Sequence, residues 1–439
     1  MLTDLIRERG PMTVAAFMDL ALYDPQFGYY ARAPRRSGRA GDFFTSVDVG
    51  GLFGELLAVQ VAEMAEILTA VDAKDAEGRT RNANVLASAS SASSALMFFD
   101  LVEAGAGDGR LSADILRAAR LRAPEVYDRA HLHLVESSAA ARRAQRATLG
   151  EAAARLETST RELPSSFEGV LLANELLDAM PVHQVVMRDD GLRETYVSAC
   201  GHAGTRARQH DACETSTCGG GAPREGRKGW PPQDTLVLRE GPLSTPALAD
   251  YLKRLNVSLE PGWRVEINLS AVDWVRDAAR RLRRGFIILI DYGHEARELY
   301  SVTHATGTLA TFSRHTTESA GATATTASWL VRPGEQDITA HVDFTSVRAA
   351  AEAEGLVTLG FLDQTYFLLG LVASIPSLLD APNLAEVPNL ANAPNLKRRL
   401  ALKTLVMPGG LGSTMKVLIL GKGVGAPALR GCSFRMRAT

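Results

Sequence analysis

Four short apolar runs constrain this chain most. LMFFDLVE (Leu96–Glu103), HLHLVE (His131–Glu136), GVLLA (Gly169–Ala173) and FIILI (Phe286–Ile290) all have strand length, and each is followed or closed by polar residues. Runs apolar at nearly every position, rather than at alternate ones, belong to strands buried on both faces. The stretches between the runs read as helices: Arg110–Leu121 follows the first, and Ser137 or Ser138 can cap another after the second. Buried strands alternating with helices predict an α/β fold with a doubly wound, mostly parallel sheet. Ligands bind such sheets outside the carboxyl ends of the strands, where the polar endings of all four runs would gather.

The 439 residues, 46% of them apolar, suffice for a large core with additions. Residues 1–69 read as a helical N-terminal region. Gly10-Pro11 ends a first helix, Thr13 caps a second that Tyr23-Asp24-Pro25 breaks, and Ser46 or Asp48 can cap a third with an apolar face from Leu52 to Leu68. Residues 70–95 form a low-complexity insertion rich in Ala and Ser. The α/β core is expected over 96–315, interrupted by an insertion at 200–234. Another insertion is expected at 316–329, and 330–439 reads as a C-terminal cap with closing strands. Pro-Asn-Leu recurs at Pro382, Pro388 and Pro394, a local expansion rather than a solenoid.

Charge and cysteine content exclude several classes. A formal net charge of −2 gives no electrostatic footprint for nucleic acid. No run approaches the ~18 apolar residues of a membrane-spanning helix. The N-terminus lacks the apolar core of a secretory signal and does not read as a clear organelle presequence. Four cysteines in so long a chain do not make a disulfide framework. Cys200, His202, His210, Cys213 and Cys218 lie close together, but their irregular spacing does not match a zinc motif, so no metal is expected.

The strand-end residues carry the chemistry. Glu103-Ala104-Gly105-Ala106-Gly107-Asp108-Gly109 joins the first strand to a helix. Glycines there allow a tight bend and close backbone approach to a ligand. The pattern is G-x-G-x-G, and Glu103 before it would repel a pyrophosphate but suits an ammonium, such as that of S-adenosyl-L-methionine. Glu136, closing the next run, can accept hydrogen bonds from ribose hydroxyls. The alternative is a plain strand–turn–helix connection.

Asn174-Glu175-Leu176-Leu177-Asp178-Ala179-Met180-Pro181 follows the third strand, and Asp291 follows the fourth. Glu175, Asp178 and Asp291 would cluster where an acceptor meets the cofactor. Carboxylates pair bidentately with a guanidinium, can orient it and can take the proton it must lose. Helix capping by Asn174 and solvation of Asp178 are the plainer alternatives. His294 reads equally as a site residue or an exposed loop residue. Tyr29, Tyr30, Phe27, Phe43 and Phe44 read as N-terminal core more than as an adenine platform.

The segments GPMTVAAFMDLALYDPQFGYY, GDFFTSVDVGGLFGELLA, LVEAGAGDGRLSADILR, HLHLVESS, LLANELLDAMPVHQ, FIILIDYGH, PGEQDITAHVDF and MPGGLGSTMKVLIL occur in one order along the chain. Together they resemble the MidA-like methyltransferases, whose mitochondrial members are protein arginine methyltransferases and complex I assembly factors. The resemblance implies a class I, Rossmann-like methyltransferase core using S-adenosyl-L-methionine. It implies cofactor binding by Gly105, Gly107, Gly109 and Glu136, with Asp42 and Thr45 of GDFFT closing over the cofactor. Glu175, Asp178 and Asp291 fall in the family's acidic motifs, and His341 and Asp343 of DITAHVDF would line the acceptor channel. It further implies symmetric dimethylation of arginine on a protein partner such as a complex I subunit, in the mitochondrion, or in the cytoplasm for a bacterial chain. A different acceptor, and a non-catalytic assembly chaperone on the same fold, remain alternatives. Ala106 stands where the family commonly has Pro, and Thr365 follows Gln364 where it has Gly.

Overall fold

The computed structural model describes residues 2–32, 45–82, 98–199, 236–313, 316–319, 327–374, 392–407 and 411–434. Its main sheet contains β1 (Phe99–Ala104), β2 (Ala130–Val135), β3 (Leu156–Thr160), β4 (Phe167–Asn174), β5 (Leu282–His294), β6 (Val357–Asp363) and β7 (Met415–Lys422). The spatial order is β6-β7-β5-β4-β1-β2-β3. The strands β1 to β5 pair in parallel with their neighbours, and β7 runs antiparallel to both β5 and β6. All four apolar runs are strands of this sheet, and the expected doubly wound architecture stands.

Side-chain alternation explains why the runs are apolar throughout. In β5, Phe286, Ile288 and Ile290 join the core on one face of the sheet, while Ile287 and Leu289 join the core on the other. Each such fully buried side chain contributes about 1.5–3 kcal/mol, so neither face tolerates a polar residue.

The first part of the chain carries the helices α1 (Leu2–Arg9), α2 (Val14–Tyr23), α3 (Leu52–Asn82), α4 (Arg110–Arg122) and α5 (Ala139–Leu149). Thr13 Oγ1 accepts the Ala16 N–H at 3.1 Å and Ser138 Oγ accepts the Ala141 N–H at 3.4 Å, as the sequence predicts. The start of α3 differs. Ser46–Val49 is a separate 3-10 turn, and Asp48 bonds back to Thr45 and across to Arg110 instead of capping the helix. The end differs too, because α3 runs on to Asn82, into the stretch expected to be an insertion.

The N-terminal region is divided between two cores. Leu52–Leu68 of α3 packs on the main sheet. By contrast, α1 and α2 pack with Val182, Val197, Leu236 and Trp329. Of these, Val197 and Leu236 lie in a second, antiparallel sheet built mainly from His183–Arg188, Gly191–Ala199, Leu236–Gly241 and Arg264–Ile267, strands that lie in sequence between β4 and β5. Residues 200–235 join two strands paired at Ala199 and Leu236. They lie outside the described residues, as do Asp42, Phe43 and Phe44 and the Cys/His group from Cys200 to Cys218.

Parts of the 316–329 stretch are built into the fold. Thr316–Ser319 pairs with Ala310–Ser313, and Trp329, 1% exposed, packs with its ring centroid 5.6 Å from that of Phe17. The run of Thr and Ala hid both features. Among the described residues, no helix is long and apolar enough to cross a membrane.

Candidate active site

Between β1 and β4 the strand order reverses, and a crevice opens at their carboxyl ends. A cavity of about 520 Å³ lies there, lined by Glu103–Asp108 and Arg110, the end of β2 with Glu136 and Ser137, and the Asn174–Leu176 and Ala179–Pro181 segments. That volume suits a nucleoside-sized ligand. Tyr23, Tyr30, Thr45 and Val47 from the N-terminal region also line it.

The glycine bend is shaped as its sequence requires. Gly105, Gly107 and Gly109 have φ of 72°, 52° and 86°, conformations costly for residues with a Cβ. Their surroundings differ. A Cβ on Gly105 would meet Leu176 at 3.1 Å and one on Gly109 would meet Leu134 at 3.2 Å, whereas one on Gly107 would meet no protein atom within 4 Å. Gly107 is thus the position where the backbone faces open space beside the cavity.

Two carboxylates brace the bend. Glu136 Oε2 accepts the Gly107 N–H at 2.8 Å, and its Oε1 accepts the Ser138 N–H at 2.6 Å. Oε1 also accepts the Ser137 hydroxyl at 3.3 Å, so Oε2 is the oxygen that keeps a lone pair. Glu103 accepts the backbone N–H of Ser112 at 3.1 Å and also its hydroxyl. Burial pushes the Glu103 carboxyl up to about 7, against the pull of the Ser112 hydrogen bonds.

The three acids of the acceptor motifs do not share one role. Glu175 lines the cavity and has φ of 51°. Left-handed backbone at a non-glycine residue is a strain that concentrates at functional sites. The Ser46 N–H donates to its Oε1 at 3.4 Å and Asn174 Nδ2 donates to the same oxygen at 3.3 Å. Burial, then the nearby Asp291, raises Glu175 to about 8. Asn174 also lines the cavity, and its Oδ1 is buried without a hydrogen-bond partner.

Asp291, 1% exposed, spends its oxygens on backbone. Its Oδ2 accepts the Leu176 and Leu177 N–H groups at 3.1 and 2.7 Å, and its Oδ1 accepts the Tyr292 N–H. It thereby fixes the loop that presents Glu175. Burial raises Asp291 to about 7, opposed by those backbone bonds. Asp178 is buried outside the cavity lining and is raised by burial and by both neighbouring carboxylates.

Thr45 lines the cavity, and neighbouring Ser46 Oγ donates to Gln364 Oε1 at 3.2 Å. Thr365, a departure from the family pattern, donates its hydroxyl to the Val406 carbonyl at 2.9 Å. His341 lies outside the cavity lining, beside His294 and His304. Asp343 is a helix cap, accepting the Thr345 N–H at 2.9 Å and the Tyr251 hydroxyl at 2.7 Å.

Sequence reading missed Tyr23, Arg110, Trp274 and Gln145. Tyr23 marked a helix end, yet its hydroxyl donates to the Ala179 carbonyl at 2.9 Å and its ring lines the cavity. Arg110 and Trp274 line it as well. Gln145, on α5, donates to the Gly107 carbonyl at 2.9 Å from a fully buried position; a buried glutamine one helix beyond the bend is its one sequence signal.

Comparison with known proteins converges on one chemistry. The model of a family of S-adenosyl-L-methionine-dependent methyltransferases matches residues 83–362. Curated relatives include the mitochondrial protein arginine methyltransferase NDUFAF7 of Mus musculus, 28% identical over 85% of this chain and 74% of its own length. The Homo sapiens protein of the same name is 26% identical over the same shares. A Burkholderia thailandensis protein solved with S-adenosyl-homocysteine bound superposes with a TM-score of 0.74 at 27% identity, covering 100% of this chain and 94% of that one.

Proposed function

Because this chain belongs to the MidA-like family of S-adenosyl-L-methionine-dependent methyltransferases, we propose that it methylates arginine side chains of a partner protein. Its cofactor supplies an electrophilic methyl group when bound. Gly105 and Gly107 in the cavity wall, with Gly109 in the same bend, would hold the cofactor, with Glu136 on the ribose and Glu103 on the ammonium. Thr45, and Asp42 in the same motif, would close over it. The open side of Gly107 and the spare lone pair of Glu136 Oε2 fit that role.

One observation carries the arginine reading: Glu175 and Asn174 line the same cavity at the end of β4, and Asn174 Oδ1 has no hydrogen-bond partner. Together they offer a carboxylate and a neutral acceptor to a guanidinium, which has N–H donors and no acceptor. The attacking nitrogen must shed one proton, and Glu175 is the base we assign to it. Its raised pKa makes it a competent proton acceptor near neutral pH, and a cation beside it favours the ionised form that grips the substrate. We assign Asp291 and Asp178 to positioning the loop. Relatives named as mitochondrial protein arginine methyltransferases support the same acceptor. With the family resemblance they extend the reading to symmetric dimethylarginine on a complex I subunit, in the mitochondrion.

Incubation with methyl-labelled S-adenosyl-L-methionine and paired peptides, arginine in one and lysine in the other, tests this. Label recovered as ω-N-methylarginine supports the reading. Label on lysine or a small metabolite, with none on arginine, rejects it.

A further inference from the structure

Away from the cavity, three histidines meet beyond the carboxyl end of β5. His294 is the last residue of β5, His304 ends the 3-10 turn Val302–His304, and His341 precedes the short strand Val342–Asp343 that pairs with the end of β5. One ring nitrogen from each lies within 4.8 Å of the others. The ring centroids are 4.8 Å (His294–His304), 5.2 Å (His294–His341) and 5.8 Å (His304–His341) apart. Among the described residues, this is the one cluster with metal-ligand geometry.

We propose that His294, His304 and His341 bind a divalent transition-metal ion of the zinc class. The hydrogen bonds leave the right atoms free. His304 Nδ1 lies 3.0 Å from the Glu298 carbonyl oxygen; donating there leaves the Nε2 lone pair for a metal. His341 Nδ1 is buried with no hydrogen-bond partner, an orphan that a cation satisfies. His294 Nδ1 stands 3.0 Å from Glu298 Oε1 in an ion-pair contact without hydrogen-bond geometry. With that carboxylate beside Nδ1, Nε2 would be the ligand atom, in the manner of the outer-shell support of a metal-bound histidine. Three imidazoles with one position left to water select zinc, cobalt, nickel or copper over magnesium or calcium, which take oxygen ligands.

The ion would clamp the loop after β5 to the segment bearing His341. The Ala340 N–H of that segment donates to the Asp178 carbonyl at 2.9 Å, so the clamp reaches the loop that presents Glu175. The metal site itself does not depend on what that loop binds.

The full chain, stripped with a chelator and dialysed, would be titrated with zinc sulfate by calorimetry, and bound metal counted after gel filtration. One zinc per chain is expected. His304→Ala and His341→Ala should each weaken zinc binding by more than the 10–100-fold typical of an outer-shell change, and Glu298→Gln should fall within about that range. Cobalt in place of zinc should show visible bands of nitrogen ligation that His304→Ala abolishes. S-adenosyl-homocysteine binding by His304→Ala verifies its fold. If His341→Ala fails to fold, His304→Ala, on a surface turn, carries the test. Absence of zinc from the wild type overturns the proposal. So does equal zinc retention by the histidine variants, which would move the metal elsewhere, for instance to the Cys200–Cys218 stretch.

Discussion

Replacing Glu136 by Gln probes the cofactor pocket with a change of one atom. The carboxylate accepts the Gly107 N–H through one oxygen at 2.8 Å and the Ser138 N–H through the other at 2.6 Å. An amide has one oxygen, so whichever way it turns, its NH₂ faces a backbone N–H. One charge-assisted bond is lost, worth about 1.5–3 kcal/mol, and the melting temperature should fall. If one ribose hydroxyl takes the free lone pair of Oε2 and the other displaces the Ser137 hydroxyl from Oε1, the amide loses at least one of those bonds too. At about 1.4 kcal/mol per tenfold, that second loss weakens S-adenosyl-homocysteine by roughly 10–150-fold. Calorimetry with S-adenosyl-homocysteine and its 2′-deoxy analogue, on wild type and variant, separates the two losses. The wild type should discriminate against the deoxy analogue, and the variant should lose most of that discrimination, a coupling of about 1 kcal/mol or more. A variant that is less stable but discriminates as the wild type does would refute ribose recognition by Glu136.

Glu175→Gln should lower kcat by about 10²–10⁴-fold, the range for a lost general base, while S-adenosyl-homocysteine affinity stays within a few-fold. In the wild type, kcat/KM for an arginine peptide should rise through a limb near pH 8, where the free Glu175 ionises, and Glu175→Gln should lack that limb. Gly107→Val should fold, because its Cβ meets no protein atom. It should lose about 1–2 kcal/mol to its left-handed backbone and bind S-adenosyl-homocysteine undetectably in equilibrium dialysis. Burial raises Glu103, Glu175 and Asp291 to about 7, 8 and 7 from 4.5, 4.5 and 3.8, so the folded ligand-free chain binds more protons than the unfolded one. Their stabilising contribution is full below about pH 4 and is lost as pH rises toward 8, at up to about 1.4 kcal/mol per pH unit for each group. Urea unfolding across that window should show the decline, and Glu175→Gln should flatten it.

The four central strands of the main sheet were legible because strands buried on both faces leave no choice of residue: FIILI has no polar position to spare, whereas the outer strands Leu156–Thr160 and Val357–Asp363 are partly exposed and gave no such run. The second sheet was not, because strands such as His183–Arg188 and Arg264–Ile267 mix polar and apolar residues and the chain between them carries a long stretch without periodicity. The glycine bend and Glu136 were legible as chemistry, since few residues suit a bend pressed against a ligand. The acids were legible only as a group. Asp291 and Glu175 both stand at strand ends, yet one turns onto backbone N–H groups and the other onto a cavity, and that choice is made by loop dihedrals a sequence does not display. Tyr23 reached the cavity through the packing of α2 on the second sheet, and His294, His304 and His341 came together through loop paths, so neither had a local signal.

A crystal structure with S-adenosyl-homocysteine and an arginine peptide bound together tests the account most directly. The guanidinium should rest against the Glu175 carboxylate and Asn174 Oδ1, with the ribose hydroxyls on Glu136 and the cofactor backbone passing Gly107. A guanidinium bound away from Glu175, or a peptide seated on another face of the chain, would contradict it.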